Sequence, residues 1–319
     1  MILCCGEALI DFIPTVAAAS TRGANAAECY TPAVGGSPFN TAVAVARLGA
    51  PAGFLSRVSR DLFGDQIMEA MNRNSVATTY VARGEQPTTL AFVRRNEQGE
   101  ARYAFFANGS ADRSLSADDT PADLPASVSC LAFGSISLLL EPGATTISQF
   151  VLREAGRRVL SFDPNIRANL ISDRPAYMQR FLSLAAHATI VKVSDDDLQW
   201  LYPDLPLEEA ARSLVQAGTA LVVVTCGASG SLAFSSNLHV GVPAPVTKVA
   251  DTVGAGDSFH GGLLAWLHDH DLLSLAAVSQ LDKRQAKAAL TFAAQVAAVT
   301  CSRPGADPAY RRELPAELQ

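Results

Sequence analysis

The sequence predicts an α/β protein: a doubly wound, mostly parallel sheet flanked by helices, with a small β-sheet lid beside it. Three observations carry that expectation. Short apolar runs recur along the chain, as ILCC at 2–5, CLAFGSIS at 130–137, VLSFD at 159–163, TIVKV at 189–193 and ALVVVT at 220–225. They lack polar alternation, which is the pattern of strands buried on both faces. Helical patterns lie between them, and that alternation implies parallel βαβ units. Finally, TTLAFVR at 88–94 and ARYAFF at 101–106 break the rhythm and flank the turn-rich Asn96–Glu100 segment, as in an antiparallel hairpin. With Glu28–Val34 and Phe54–Ser59 this hairpin would form a small sheet; an edge hairpin of the main sheet is the alternative. The expected organisation is a single domain over 1–319 with a lid sub-domain from about 12–34 and 86–108.

Composition excludes several function classes. The 319 residues are 49% hydrophobic, enough for a large core. A net charge of −6 and a pI near 5.4 leave no basic excess for nucleic acid or anionic membrane. The cysteines (Cys4, Cys5, Cys29, Cys130, Cys226, Cys301) have no CxxC spacing, so neither a zinc site nor a disulfide framework is indicated. The five histidines lack ligand spacing and suit surface or packing roles. The apolar opening is cut short by Gly6, Glu7 and Asp11, and no stretch approaches a membrane span. A reducing cytoplasm fits best.

The chemistry concentrates in DTVGAGDSFHGGLLAWL, Asp251–Leu267. A helix N-terminus exposes unpaired N–H groups and about half a positive charge, so it can receive an anion without a basic side chain. Gly254, Ala255 and Gly256 let the backbone approach a phosphate closely. Asp257 lies where an apolar helix begins, and the plain alternative makes it an N-cap on a tight turn. Gly261-Gly262 suggests close backbone packing. Neither a Walker A motif nor a GxGxxG fingerprint is present here.

The longer string DTVGAGDSF resembles the second signature of the ribokinase-like (PfkB) sugar kinases, D-T-x-G-A-G-D-x-F. The resemblance implies a ribokinase-like fold, an anion hole at Gly254, Ala255 and Gly256, and Asp257 as catalytic base. GGSPFNTAVAVARLG at 35–49 resembles the first signature; Pro38 suits a first helical turn and Gly49 a helix stop. It implies that Gly35, Gly36 and Asn40 line the sugar pocket, although Asn40 also fits as a plain helix-start hydrogen bonder. GEALIDFIP places Asp11 at the end of the first strand, where ligands of open α/β sheets bind, and the family uses that aspartate to hold the sugar.

SFDPNIR and IVKVSDDDLQW fit the middle of the family. Asp163, Asn165 and Lys192 are expected on the ATP side, and Arg167 should reach the cleft, suited to substrate or phosphate charge. Where many members carry K-x-N-x-x-E and organise Mg²⁺ through water, this chain has Ser194 and Asp197, which puts the metal role of Asp197 in doubt. A capping serine ahead of an acidic turn explains the same residues. Thr225, Gly227 and Gly230 resemble the nucleotide loop T-x-G-x-x-G, and Gly305 lies in a turn resembling the adenine wall. Some members bind a monovalent cation such as K⁺ near Asp251 and Val253; the sequence alone does not decide this.

FDPNIR, VKVSDDDLQWL, GSISLLLEP and ADRSL are most similar to bacterial fructokinases. The implied activity is ATP-dependent phosphorylation of a small neutral sugar, with Phe105 or Phe106 of the lid packing on its apolar face. A 2-keto-3-deoxygluconate kinase is the nearest competitor; such enzymes often carry an arginine where this chain has Ala107-Asn108, though Arg94, Arg102 and Arg167 keep that alternative open. An aminoimidazole riboside or other nucleoside kinase is a third reading. An exposed lid sheet with an apolar face would make a homodimer surface, and no nucleic acid or membrane partner is expected.

Overall fold

From the amino terminus the chain runs through β1 (Ile2–Cys5), β2 (Leu9–Thr15), β3 (Cys29–Gly35), α1 (Ser37–Arg47), β4 (Ala52–Ser59), α2 (Leu62–Arg73), β5 (Ala77–Gly84), β6 (Leu90–Arg95) and β7 (Ala101–Phe106). It continues with β8 (Cys130–Gly134), α3 (Gly143–Arg153), β9 (Val159–Asp163), α4 (Arg174–His187), β10 (Ile190–Ser194), α5 (Asp195–Leu201) and α6 (Leu207–Gln216). The last part holds β11 (Leu221–Thr225), β12 (Ser231–Phe234), β13 (His239–Val242), α7 (Ala255–Asp269), α8 (Leu275–Ser279) and α9 (Lys283–Cys301). The structure is a computed structural model that describes residues 1–15, 29–95 and 101–319.

The apolar runs pair as their composition predicts. A nine-stranded sheet has the order β13-β12-β11-β10-β9-β8-β1-β4-β5. From β11 to β5 every neighbour is parallel, and β12 and β13 add an antiparallel edge. Because successive strand residues face opposite ways, Ile2 and Cys4 join the apolar layer under α1, α7 and α9, while Leu3 and Cys5 join the layer under α3, α4 and α6. That is the double winding. Gly261 and Gly262 bring α7 close to two neighbours. A Cβ at Gly261 would stand 2.5 Å from Ala44 Cβ and 3.0 Å from Thr41 O on α1, and one at Gly262 would stand 3.1 Å from Ala293 Cα on α9.

The four-stranded second sheet has the order β3-β2-β6-β7. Its strands β6 and β7 form the expected antiparallel hairpin, here outside the main sheet, and β2 pairs antiparallel with β3 and parallel with β6. Two expectations are corrected. Phe54–Ser59 belongs to β4 of the main sheet, mostly buried between β1 and β5, as its apolar content demands. Asp11 is not at the end of the first strand: β1 stops at Cys5, the chain turns at Gly6, and Asp11 lies within β2 of the small sheet. That sheet therefore begins at Leu9, ahead of the expected boundary at 12. Glu28 and the Asn96–Glu100 turn lie outside the described residues. No helix among the described residues is long and apolar enough to cross a membrane.

Candidate active site

The strands β9, β10 and β11 end side by side, with Ser194 opposite Thr225, and Asp163 closes β9 beside Gly134. Ligands of open α/β sheets gather at this carboxyl edge. Helix α7 starts just above it. Gly254 is its N-cap with φ +74, a left-handed conformation that favours glycine. A Cβ on Gly254 would lie 2.6 Å from Ala306 Cβ, so the turn after α9 packs directly on the loop. Asp251 ties the two together: its Oδ1 accepts from Thr252 N at 2.8 Å and Val253 N at 3.2 Å, and its Oδ2 accepts from Gly305 N at 3.0 Å.

Asp257 is inside the first turn of α7 and is not its N-cap. Its carboxylate faces α1 instead. Ser37 Oγ donates to Oδ1 at 2.6 Å, and Asn40 Nδ2 donates to Oδ2 at 2.9 Å. Asn165 Nδ2 lies 3.5 Å from Oδ1. Asp257 is 7% exposed. Burial pushes its pKa up, opposed by the Ser37 and Asn40 hydrogen bonds.

Two groups of side chains flank this carboxylate. On one side a cleft is lined by Asp11, Asn40, Phe105, Arg167, Gly254 and Asp257. Burial raises the Asp11 pKa to about 7, while Arg167 pulls it down and Asp257 pushes it further up. Gly35 is needed there because a Cβ would strike the Asp11 carboxylate. On the other side Lys192 Nζ donates to Asp163 Oδ2 at 2.9 Å, both groups buried. Burial alone would lower the Lys192 pKa, but the charge and hydrogen bond of Asp163, with Asp257 and Asp197, raise it. A Cβ on Gly256 would stand 3.0 Å from Lys192 Nζ, which puts this cation beside the glycine turn. Asp163 Oδ1 is buried with no hydrogen-bond partner.

A helix N-terminus, a buried lysine and a carboxylate aimed at a polar cleft make a site for moving an anionic group onto a hydroxyl. The family profile described as pfkB family carbohydrate kinase matches residues 1–311. The chain belongs to this family. A fructokinase of Rhizobium leguminosarum bv. trifolii is 39% identical over 89% of this chain and 85% of its own length. Among solved structures, a fructokinase from Xylella fastidiosa with bound ATP superposes with a TM-score of 0.84 at 28% identity, covering 96% of this chain and 93% of that one. A fructokinase from Vibrio cholerae O395, in a form bound to fructose, ADP and calcium ion, gives 0.81 at 27% identity over 96% and 94%. The fold is accordingly ribokinase-like, and the enzyme is a phosphotransferase acting on a sugar hydroxyl.

In this pfkB carbohydrate kinase the sugar-side candidates Asp11, Gly35, Gly36, Asn40, Phe105 and Arg167 gather around one cleft. Arg167 lies beside Asp11 in this cleft, and its Nη1 donates to Asn165 Oδ1 at 2.6 Å. Thr225 ends β11, with Gly227 and Gly230 bounding the short turn that follows, and Gly305 is on the loop held by Asp251. Ser194 caps α5, accepting from Asp197 N at 3.0 Å, which is the plain capping role. The Asp197 carboxyl rises to about 6 through burial and the nearby Asp163, against Lys192.

Glu7 and Ser37 were not anticipated. Both line the cleft. Glu7 Oε1 accepts from Ser37 N at 3.2 Å, and Oε2 accepts from Ser137 N at 3.2 Å and from Ser137 Oγ. Burial lifts the Glu7 pKa to about 7, against the hydrogen bond from Ser137. The only sequence signal for Glu7 was an acid two residues after a fully apolar strand.

Proposed function

We propose that this chain is an ATP-dependent fructokinase of the cytoplasm, transferring the γ-phosphate to a hydroxyl of a small neutral sugar, with fructose as the preferred acceptor. The observation that carries the reading is Asp257: a buried carboxylate fixed at the start of α7 by Ser37 and Asn40, between an acid-lined cleft and a buried lysine.

A sugar hydroxyl ionises far above pH 7, so Asp257 acts as general base by accepting the proton as the O–P bond forms. The N–H groups of Gly254, Ala255, Gly256 and Asp257 receive the charge of the transferring phosphoryl group, and Lys192 adds a cation beside Gly256. Asp11, with Gly35, Gly36, Asn40 and Arg167 around it, holds sugar hydroxyls. Asn165, Thr225, Gly227, Gly230 and Gly305 form the nucleotide side. The small sheet acts as the lid that excludes water, with Phe105 on the sugar and its outer face as the homodimer surface.

Mg²⁺ takes one or two carboxylates together with substrate phosphates and keeps several waters. No group of three or more His, Cys, Asp or Glu side chains that could hold a metal occurs among the described residues. The residues present fit that looser arrangement. The unpartnered Asp163 Oδ1 and the neighbouring Asp197 are the carboxylates that would hold the ion. When bound, it neutralises phosphate charge.

The charge of the cleft favours a neutral acceptor. Among the described residues that line it, Glu7, Asp11 and Asp257 supply three carboxyl groups against the one guanidinium of Arg167. With Glu7 and Asp11 only partly ionised near pH 7, these residues still offer a sugar acid no cationic excess. The test is ADP release with ATP and, in parallel, fructose, 2-keto-3-deoxygluconate, ribose and aminoimidazole riboside. Fructose is expected to give the highest kcat/KM; a higher value for any other acceptor, or no sugar-dependent ADP release, overturns the assignment.

A further inference from the structure

The hydroxyl of Ser37 bonds Asp257 directly, and the scheme above gives it no task beyond that contact. Ser37 is the first residue of α1. It follows Gly36, whose φ is +108 and whose missing Cβ would stand 2.6 Å from Glu7 O, so the backbone at this turn is tightly set. Glu7 then fixes Ser37 itself by accepting its N–H, while Ser137 fixes Glu7. From this anchored position Ser37 Oγ donates to Oδ1 of Asp257 at 2.6 Å. Asn40, one turn along α1, serves Oδ2. Each carboxylate oxygen thus has one donor from α1, which fixes the plane of the group.

We propose that Ser37 is a positioning residue for the reaction: its hydroxyl, anchored through Glu7, orients the Asp257 carboxylate and keeps it ionised. The inference rests on the reading of Asp257 as general base. The other groups facing Asp257 do not settle its charge. Lys192 on β10 favours the anion, whereas Asp163 on β9 and Asp11 on β2 oppose it. His260, on α7 itself, is held neutral, its pKa lowered to about 3 by burial and Lys192. Burial is the largest effect and works against the charge, and the donors aimed at the oxygens are the main opposition to it. A hydrogen bond to an ion is worth more than one between neutral groups. Ser37 supplies such a bond, at 2.6 Å.

The experiment compares kcat/KM for fructose against pH, from about pH 5 to about pH 9, where the acid limb reports the base in the free enzyme. Ser37→Ala removes the donor, Ser37→Cys replaces it with a weak one in nearly the same volume, and Ser37→Thr retains it. The limb should move up by about one to two pH units in the Ala and Cys variants. At pH values below the wild-type limb kcat/KM should fall about 10-fold to 100-fold with sugar KM changed less than about two-fold, and raising the pH should restore turnover. Thr should keep the wild-type limb. A limb at the wild-type position in both Ala and Cys overturns the proposal, whether the plateau is intact or uniformly lowered. Asp257→Asn in the same series separates the two readings: if it stays active, the base assignment has failed; if it is inactive while the Ser37 limb does not move, only the role of Ser37 has failed.

Discussion

Asn40 Nδ2 donates to Asp257 Oδ2 at 2.9 Å across 217 residues of sequence. The bond joins α1, which lines the cleft with Asp11, to α7, whose first turn lies beside Lys192, so that in the proposed scheme acceptor and base would be held in one frame. Replacing Asp257 by Asn removes the proton acceptor while keeping the size of the side chain. Steady-state kinetics of Asp257→Asn should show kcat lowered by roughly 10² to 10⁴, with ATP and sugar still bound. Turnover at the wild-type rate would remove Asp257 from its role.

The same frame depends on Gly261. A methyl group there would press on Ala44 Cβ and Thr41 O, forcing α1 away from α7. Gly261→Ala should cost about 1–3 kcal/mol in a urea or guanidinium unfolding series. It should also lower kcat, because α1 carries both donors to Asp257. Unchanged stability together with unchanged turnover would show that the helices adjust freely and that the close approach is unimportant.

The parts of this architecture that local sequence encodes were legible. The glycine turn, the apolar strands and the Ser194 cap are each set within a few residues, and the structure has them where the sequence puts them. The contacts made across strands were not. Lys192 meets Asp163 only because β9 and β10 run parallel with their carboxyl ends together, and no local spacing announces a pair 29 residues apart. Asp11 was misplaced because the reversal at Gly6 feeds a second sheet, whose pairing with β3 and β6 is non-local. Glu7 looked like an interruption of an apolar run, and its partners Ser37 and Ser137 arrive from distant elements.

Asp11 carries a pH dependence of defined sign. Burial is the main reason that its pKa rises from 3.8 to about 7. The sugar-free fold therefore binds this proton more tightly than the unfolded chain does, so Asp11 contributes stability that is full below about pH 4 and is lost as pH rises through about 7. Asp11→Asn abolishes that titration. The difference in Tm between variant and wild type should grow in favour of the variant from about pH 4 to about pH 8, while sugar KM rises because a hydroxyl acceptor has gone. A Tm difference constant across that range would contradict the burial of a titrating group at this position.

Phe105 tests the lid. It is half-buried at the end of β7, lines the cleft and packs with Leu9, Ala91 and Ile136. The foot of its hairpin is anchored independently: Thr88 N and Oγ1 donate to Asp61 at 2.8 and 2.6 Å, and Thr89 Oγ1 donates to Asp112 at 2.5 Å. Truncating Phe105 should therefore leave the hairpin folded and remove only the apolar surface it offers to the sugar. Phe105→Ala should raise sugar KM about 10-fold, equivalent to about 1.4 kcal/mol. Water admitted beside the bound nucleotide should raise ADP release without sugar relative to sugar phosphorylation. A variant with a wild-type KM and no added ATP hydrolysis would mean that the small sheet does not close over the acceptor.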